Sequence, residues 1–160
     1  MTIPAPLSLY RTNVQPEWID YNGHMNVAYY VLAFDYATDA FLDYIGLDHG
    51  YKAKANVTTF VADMNVTYIQ EVFEGDPLRF TTQLLEFDGK KCRYFHSMYH
   101  AEKGYLAATN ELLSLHIDLA TRRVGAMAPV ITEKLQEILE SHATLDVPPG
   151  AGRVLGMRRR

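Results

Sequence analysis

One uninterrupted segment, from Asn26 to Ile45, constrains the fold of this chain more than any other feature of its sequence. It contains neither glycine nor proline, and Gly46, a residue typical of the position just after a helix ends, follows it directly. Apolar and aromatic side chains occupy most of the circumference of such a helix. Its polar stripe is short and consists of Asp35, Thr38, Asp39 and Asp43. Because a helix that is apolar nearly all round is a buried one, the sequence predicts one long central helix.

The stretch from about Val57 to Asp118 has the alternating pattern of strands, with apolar and polar residues taking turns. Tight-turn sequences divide it at Gly75-Asp76-Pro77, Asp88-Gly89 and Lys103-Gly104. This spacing predicts an antiparallel meander, to which Leu7–Val14 adds a short strand. A sheet of five to six antiparallel strands against one buried helix is a two-layer α+β arrangement.

The length of 160 residues, 48% of them hydrophobic, suits one compact domain. We expect this domain to span residues 1–142 and to include a short amphipathic helix at Ile131–Ser141. Residues 143–160 are rich in glycine, proline and arginine, and they end in Arg158, Arg159 and Arg160. That composition predicts a loosely structured tail.

Charge and composition exclude several classes of function. The formal net charge of −4 and the absence of a basic, aromatic stripe argue against a nucleic-acid partner. No apolar run approaches the roughly 20 residues that span a membrane, and no signal peptide is visible. The single cysteine, Cys92, suits a reducing compartment, so we expect a soluble, cytoplasmic protein. The histidines have no metal-ligand spacing, and we expect no metal site.

The segment just before the helix carries the most specific motif. It reads Trp18-Ile19-Asp20-Tyr21-Asn22-Gly23-His24-Met25-Asn26 and is followed by Tyr29-Tyr30. It resembles the signature of hot dog-fold acyl-CoA thioesterases of the 4-hydroxybenzoyl-CoA thioesterase type. More narrowly, it is similar to the betainyl-CoA thioesterases of carnitine degradation. Weaker matches downstream extend the resemblance over roughly residues 7–125.

The resemblance implies a hot dog fold, in which the sheet wraps round the central helix, and the hydrolysis of a small acyl-CoA. It makes Asp20 either the nucleophile or the general base that activates water, and the sequence does not choose between the two. It places the oxyanion-binding amide at Val27, where the first N–H groups of the helix are free. For His24 we expect an orienting role, with a proton shuttle and a core histidine as the alternatives.

The residues around this motif are candidates for binding the substrate. Asn22 and Asn26 either line the site or cap the helix. Trp18 stands where many relatives carry a second aspartate, and its ring, with those of Tyr21 and Tyr68, could face a trimethylammonium group. Such cation–π contacts contribute roughly 0.5–2 kcal/mol each when desolvated. The alternative is that these rings are core packing.

Coenzyme A enters this interpretation as part of the substrate, and no other cofactor is expected. Its phosphates would lie near the basic pair Arg122 and Arg123. The fold leaves one sheet face and the sheet edges open, so we expect a homodimer or homotetramer with sites at the subunit boundary. The alternatives are a hot dog-fold dehydratase or hydratase, and a non-catalytic acyl-CoA-binding protein.

Overall fold

A computed structural model describes residues 2–157. Its helices and strands, in chain order, are β1 (Leu7–Asn13), α1 (Val27–Ile45), α2 (His49–Ala55), β2 (Val57–Tyr68), β3 (Pro77–Phe87), β4 (Lys91–His100), β5 (Leu106–Asp118), β6 (Arg123–Val124) and α3 (Pro129–His142). A single 3-10 turn, Pro16–Trp18, lies between β1 and α1. Among these described residues, no helix is both long and apolar enough to cross a membrane.

The strands form one antiparallel sheet of six, in the spatial order β1-β3-β4-β5-β2, and the short β6 pairs with β5. Helix α1 packs against one face of this sheet, which we call the inner face. The predicted α+β class and strand number are therefore confirmed. The two edges of the sheet are β1 and the long strand β2.

Helix α1 begins and ends where local signals place it. The side chain of Asn26 accepts a hydrogen bond from the Ala28 N–H at 3.0 Å and caps the start. At the end, Gly46 takes the left-handed conformation with φ of +93°, and its N–H donates back to the carbonyl of Asp43. The sequence predicts a helix that is buried nearly all round, but one side of α1 is open to solvent, where its aspartates lie.

A buried histidine joins α1 to the sheet. His96 on β4 is fully buried, and its two ring nitrogens lie 2.9 Å from the Thr38 hydroxyl of α1 and 2.8 Å from the Thr82 hydroxyl of β3. Burial lowers the pKa of this imidazole to about 3. The ring is therefore neutral near pH 7, and one uncharged group holds three elements together.

The region after β6 packs against the sheet at β3. The ring of His142, the last residue of α3, accepts a hydrogen bond from the Leu84 N–H at 2.9 Å and lies 3.0 Å from the Pro4 carbonyl. Beyond α3 there is no further helix or strand up to residue 157, yet residues 146–153 lie on the outer face of the sheet. These contacts differ from the predicted loose tail because distant strands supply the partners. The division at residue 142 stays a prediction, and Arg158–Arg160 lie outside the described residues.

Candidate active site

The loop before α1 holds Asp20 in one defined orientation. Its carboxylate accepts hydrogen bonds from the Asn22 N–H at 2.8 Å and from the Asn26 side-chain amide at 3.1 Å. A tight turn supports this arrangement, with Gly23 at a φ of +82° donating its N–H to the Asp20 carbonyl. The Asn22 N–H, with the Asn26 amide in support, lowers the pKa of the Asp20 carboxyl below its ordinary value. Asp20 is thus ionised at neutral pH.

Asn26 connects this carboxylate to the start of α1. Its side-chain oxygen caps the helix at the Ala28 N–H while its amide nitrogen donates to Asp20. Sequence reasoning left capping and site lining as alternatives for Asn26, and one side chain makes both kinds of contact. The carboxylate is thereby fixed relative to the first turn, where free N–H groups carry the positive end of the helix dipole.

A cavity of about 170 Å³ lies against this first turn, between α1 and the end of β2. It is lined by His24, Met25, Val27, Tyr30, Tyr68, Ile69, Gln70 and Glu71. The Tyr68 hydroxyl donates to the Val27 carbonyl at 3.0 Å, so the last residue of β2 is tied to the first residue of the helix. Three of the predicted site residues, His24, Val27 and Tyr68, are brought together here, whereas Asp20 lies outside the lining.

The orientation of His24 follows from its neighbours. Its Nδ1 lies 3.1 Å from the Met25 carbonyl, which can only accept, so this nitrogen carries the proton and donates. Its Nε2 then faces the carboxylate of Glu71 at 4.0 Å. Sequence reasoning missed Glu71, because it follows β2 in a segment with no motif and reaches the site only through the fold.

The predicted aromatic residues separate into different environments. Trp18 is only 6% exposed and stacks on Tyr29, with ring centroids 6.0 Å apart. This placement matches core packing, the alternative that the sequence left open, and leaves the indole without a free face. Tyr21 is 97% exposed at the tip of the loop, near the equally exposed Asn22. Tyr68 is the predicted aromatic residue that lines the cavity. Its ring and that of Tyr30 meet edge to face, and Tyr68 is 46% exposed.

The predicted CoA-binding pair lies far from this cavity within one chain. Arg122 and Arg123 follow β5, and the Arg122 guanidinium sits over the ring of Phe60 at 5.9 Å. From Phe60 the strand β2 continues for eight residues to Tyr68, a distance of roughly 26 Å at the usual rise per residue. The arginines and the cavity therefore occupy opposite ends of β2. Within residues 2–157, no three His, Cys, Asp or Glu side chains cluster as metal ligands would.

Known proteins are similar to this chain in sequence or in structure over nearly its whole length. Residues 14–135 match the family described as the thioesterase-like superfamily. The chain is 36% identical to the betainyl-CoA thioesterase of Pseudomonas aeruginosa, over 94% of this chain and 95% of that protein. It is 39% identical to the L-carnitine dehydrogenase/betainyl-CoA thioesterase of Rhizobium meliloti over 97% of this chain, which spans 31% of that longer protein. A Staphylococcus aureus protein solved in complex with CoA superposes with a TM-score of 0.90 at 24% identity, over 99% of this chain and 100% of the other.

Proposed function

The chain belongs to the thioesterase-like superfamily and is a thioester hydrolase, and from this premise we propose that it cleaves betainyl-CoA to betaine and CoA. The observation that carries the catalytic part is the Asp20 carboxylate, held ionised by two donors and linked through Asn26 to the start of α1. The identity to a betainyl-CoA thioesterase along 94% of the chain supports the choice of acyl group. We place the reaction in the cytoplasm, which suits the single buried cysteine.

In the proposed reaction, the Val27 N–H donates to the thioester carbonyl oxygen and stabilises the negative charge that develops there. Asp20 acts in one of two ways. As a nucleophile it attacks the carbonyl carbon, expels the CoA thiolate and forms a mixed anhydride that water then hydrolyses. As a base it takes a proton from a water molecule that attacks the same carbon. Either route ends in the free acid and CoA.

Replacing Asp20 tests the proposal directly. Asp20→Asn keeps the size of the side chain and removes its charge, so we expect kcat to fall at least 100-fold while CoA esters still bind. Asp39→Asn, on the solvent-facing stripe of α1, is the matched control and should keep full activity. An Asp20→Asn variant that releases CoA at the wild-type rate would contradict the assignment. A wild-type protein that binds CoA esters but releases no thiol would instead be a binding protein.

The two routes through Asp20 leave different isotopic records. In a single turnover in H₂¹⁸O, water that attacks a mixed anhydride at the Asp20 carboxyl carbon leaves heavy oxygen in the enzyme. Water activated by a basic Asp20 places the label in the acid product alone. Heavy oxygen in the peptide that contains Asp20, detected by mass spectrometry, would therefore identify a nucleophile, whereas label in the acid product alone is also expected when water attacks the acyl carbon of the anhydride.

The cavity lining supports a cationic acyl group. It includes the aromatic residues Tyr30 and Tyr68 and the carboxyl side chain of Glu71, and it contains neither lysine nor arginine. A trimethylammonium group is attracted both to aromatic faces and to a carboxylate. The same cavity would give a neutral acyl group of equal size neither advantage.

A pair of isosteric substrates tests the acyl preference. Betainyl-CoA and 3,3-dimethylbutanoyl-CoA have the same shape, but the second has a carbon in place of the charged nitrogen. We expect Glu71→Gln to lower kcat/KM for betainyl-CoA about tenfold and to leave the neutral analogue unchanged. Tyr68→Phe, which keeps the ring, should preserve the preference, whereas Tyr68→Leu should reduce it. An unchanged preference in both Glu71→Gln and Tyr68→Leu would contradict this substrate.

The edge strand β2 supports a homodimer. Within the described residues its outer edge has no strand partner, and Phe60, Val61 and Met64 are each about two-fifths exposed. A long, apolar, unpaired edge is a template for pairing with another chain. We propose that a second copy pairs antiparallel along β2. Such pairing places the start of one β2 beside the end of the other, so Arg122 and Arg123 of the second copy reach the Tyr68 cavity and the CoA phosphates.

Subunit mixing tests this shared site. The Asp20→Asn chain lacks the carboxylate, and an Arg122→Glu/Arg123→Glu chain lacks the basic pair. If each site uses Asp20 from one copy and the arginines from the other, mixed dimers regain one intact site of two. Random mixing then restores up to about a quarter of wild-type activity. A mixture as inactive as its two components would show that each site draws on one chain.

A further inference from the structure

The segment after α3 crosses the outer face of the sheet one strand at a time. We call residues 146–157 the C-terminal arm. Its path begins at β3, where the Gln83 side chain donates to the Asp146 carbonyl at 3.1 Å. It continues over β4, where Gly150 lies so close to Phe95 that a Cβ atom would be 3.4 Å from the ring. The arm thus runs from the middle of the sheet toward one side.

The next contacts carry the arm to the edge. On β5, the Glu111 carboxylate accepts from the Gly152 N–H at 2.9 Å. On β2, Asn65 and Arg153 bond to each other twice, since the Arg153 guanidinium donates to the Asn65 side-chain oxygen and the Asn65 amide donates to the Arg153 carbonyl, both at 2.8 Å. The order β3, β4, β5, β2 is the spatial order of the strands, so the arm leads to the free edge.

Apolar side chains follow where the arm reaches this edge. Val154, Leu155 and Met157 are 88%, 85% and 100% exposed. Leu155, two residues beyond Arg153, lines a cavity together with Asp63 and Asn65 of the edge strand. The apolar end of the arm therefore begins close to the free edge of the sheet.

The charged side chains at this edge also favour a second copy of the chain as the partner of the arm. Among residues 2–157, no carboxylate lies within ion-pair distance of the Arg153 guanidinium, although Asn65 holds it in place. Asp63, on the same face of β2 as Asn65, has no ion-pair partner in that range either. In the antiparallel pairing, a two-fold axis that crosses β2 near Met64 at right angles to the sheet would bring Asp63 of one copy toward the Arg153 guanidinium of the other.

We propose that the end of the C-terminal arm, residues 154–157, passes over the edge strand and docks on the outer face of a second copy of this chain. The proposal rests on the dimer along β2 and adds to it a reciprocal clasp, in which each copy lends its arm to the other. Val154, Leu155 and Met157 are then buried against the partner. The clasp lies on the outer face, whereas the catalytic residues lie at α1 on the inner face.

Site-specific cross-linking tests the clasp. Cys92 is buried and its pKa is raised to about 12, so a cysteine introduced at Leu155→Cys is labelled selectively with a benzophenone maleimide. Dimers mixed from ¹⁵N-labelled and unlabelled chains are then irradiated. We expect cross-links between heavy and light chains, mapped to the outer face of β2 or β5. The control Val130→Cys, exposed on α3, should give none.

Each outcome has a separate meaning. A dimer by sedimentation that yields only cross-links within one chain would overturn the clasp and leave the dimer standing. A monomer would overturn both. As a second measurement, the triple variant Val154→Ser/Leu155→Ser/Met157→Ser keeps the length of the chain. We expect its dimer dissociation constant to rise at least tenfold, with unchanged kcat at concentrations that restore the dimer, and an unchanged dissociation constant would again overturn the clasp.

Discussion

The buried imidazole of His96 makes the stability of the fold depend on pH in a way that can be calculated. Burial lowers its pKa from 6.5 to about 3, whereas the unfolded chain exposes the ring to water and restores the ordinary value. Between these two values the unfolded state binds a proton that the folded state does not. The free energy of unfolding is therefore intact above the unfolded pKa and decreases as the pH falls toward 3.

The magnitude follows from the two pKa values. Each pH unit in this interval is worth about 1.4 kcal/mol, so acidification from pH 7 to pH 5 should cost about 2 kcal/mol through His96 alone. No discount for solvent screening applies, because the ring is fully buried. Its hydroxyl partners, Thr38 and Thr82, bring no compensating charge. A loss of this size is a large fraction of the stability of a small domain.

Comparison with His96→Gln isolates this contribution. Glutamine has no titration in this range, so the pH dependence from other groups, including His142, whose pKa burial also lowers, cancels in the difference. In urea unfolding at fixed protein concentration, the difference in the free energy of unfolding between wild type and variant should be about 2 kcal/mol smaller at pH 5 than at pH 7. His49→Gln, on the exposed start of α2, is the control. Parallel pH curves for wild type and His96→Gln would refute the reasoning, as would an NMR titration of the wild-type ring near pH 6.

Three further predictions concern the site and the fold. Asn26→Ala removes one donor to the carboxylate and should raise the pKa of Asp20, so the acid limb of kcat/KM moves to higher pH than in the wild type. Gly46→Ala meets both a φ of +93° and a side chain 3.3 Å away, and it should lower the free energy of unfolding by about 1–2 kcal/mol more than Gly75→Ala, where the φ is +80° but the space is open. Cys92, buried and with a pKa raised to about 12, should resist iodoacetamide at pH 8 in the folded protein and react only in denaturant, as mass spectrometry can show.

The parts of the fold that could be predicted are those whose signals are local. The central helix was expected over Asn26–Ile45 and is found over Val27–Ile45, because its cap and its terminal glycine are adjacent in sequence. The hairpins follow from their turn residues. Helix α2 was not predicted, since its seven residues include none that are buried and its local signals are confined to its ends, at the capping residues Asp48 and Asn56. A helix without an apolar face leaves no periodic pattern to detect.

The motif located Asp20 and its helix, but long-range packing decided the rest of the candidate site. Whether Trp18 keeps a free ring face depends on Tyr29, in the first turn of a helix that sequence alone does not orient. Glu71 reaches His24 only because β2 ends there. The distance between Arg122 and the cavity depends on strand order, which the alternation of residues does not contain.

The fastening of the chain's beginning to its third helix bears on how such a domain can be combined with others. Ser141 donates to the Ile3 carbonyl at 2.8 Å, and the neighbouring His142 lies against Pro4, so this segment is held beside β1 and β3. That side of the sheet is opposite the edge strand β2. A polypeptide joined ahead of Ile3 would thus leave the domain on the side away from the edge strand β2. A second enzyme fused at this point would leave the edge strand β2 free to pair as we propose.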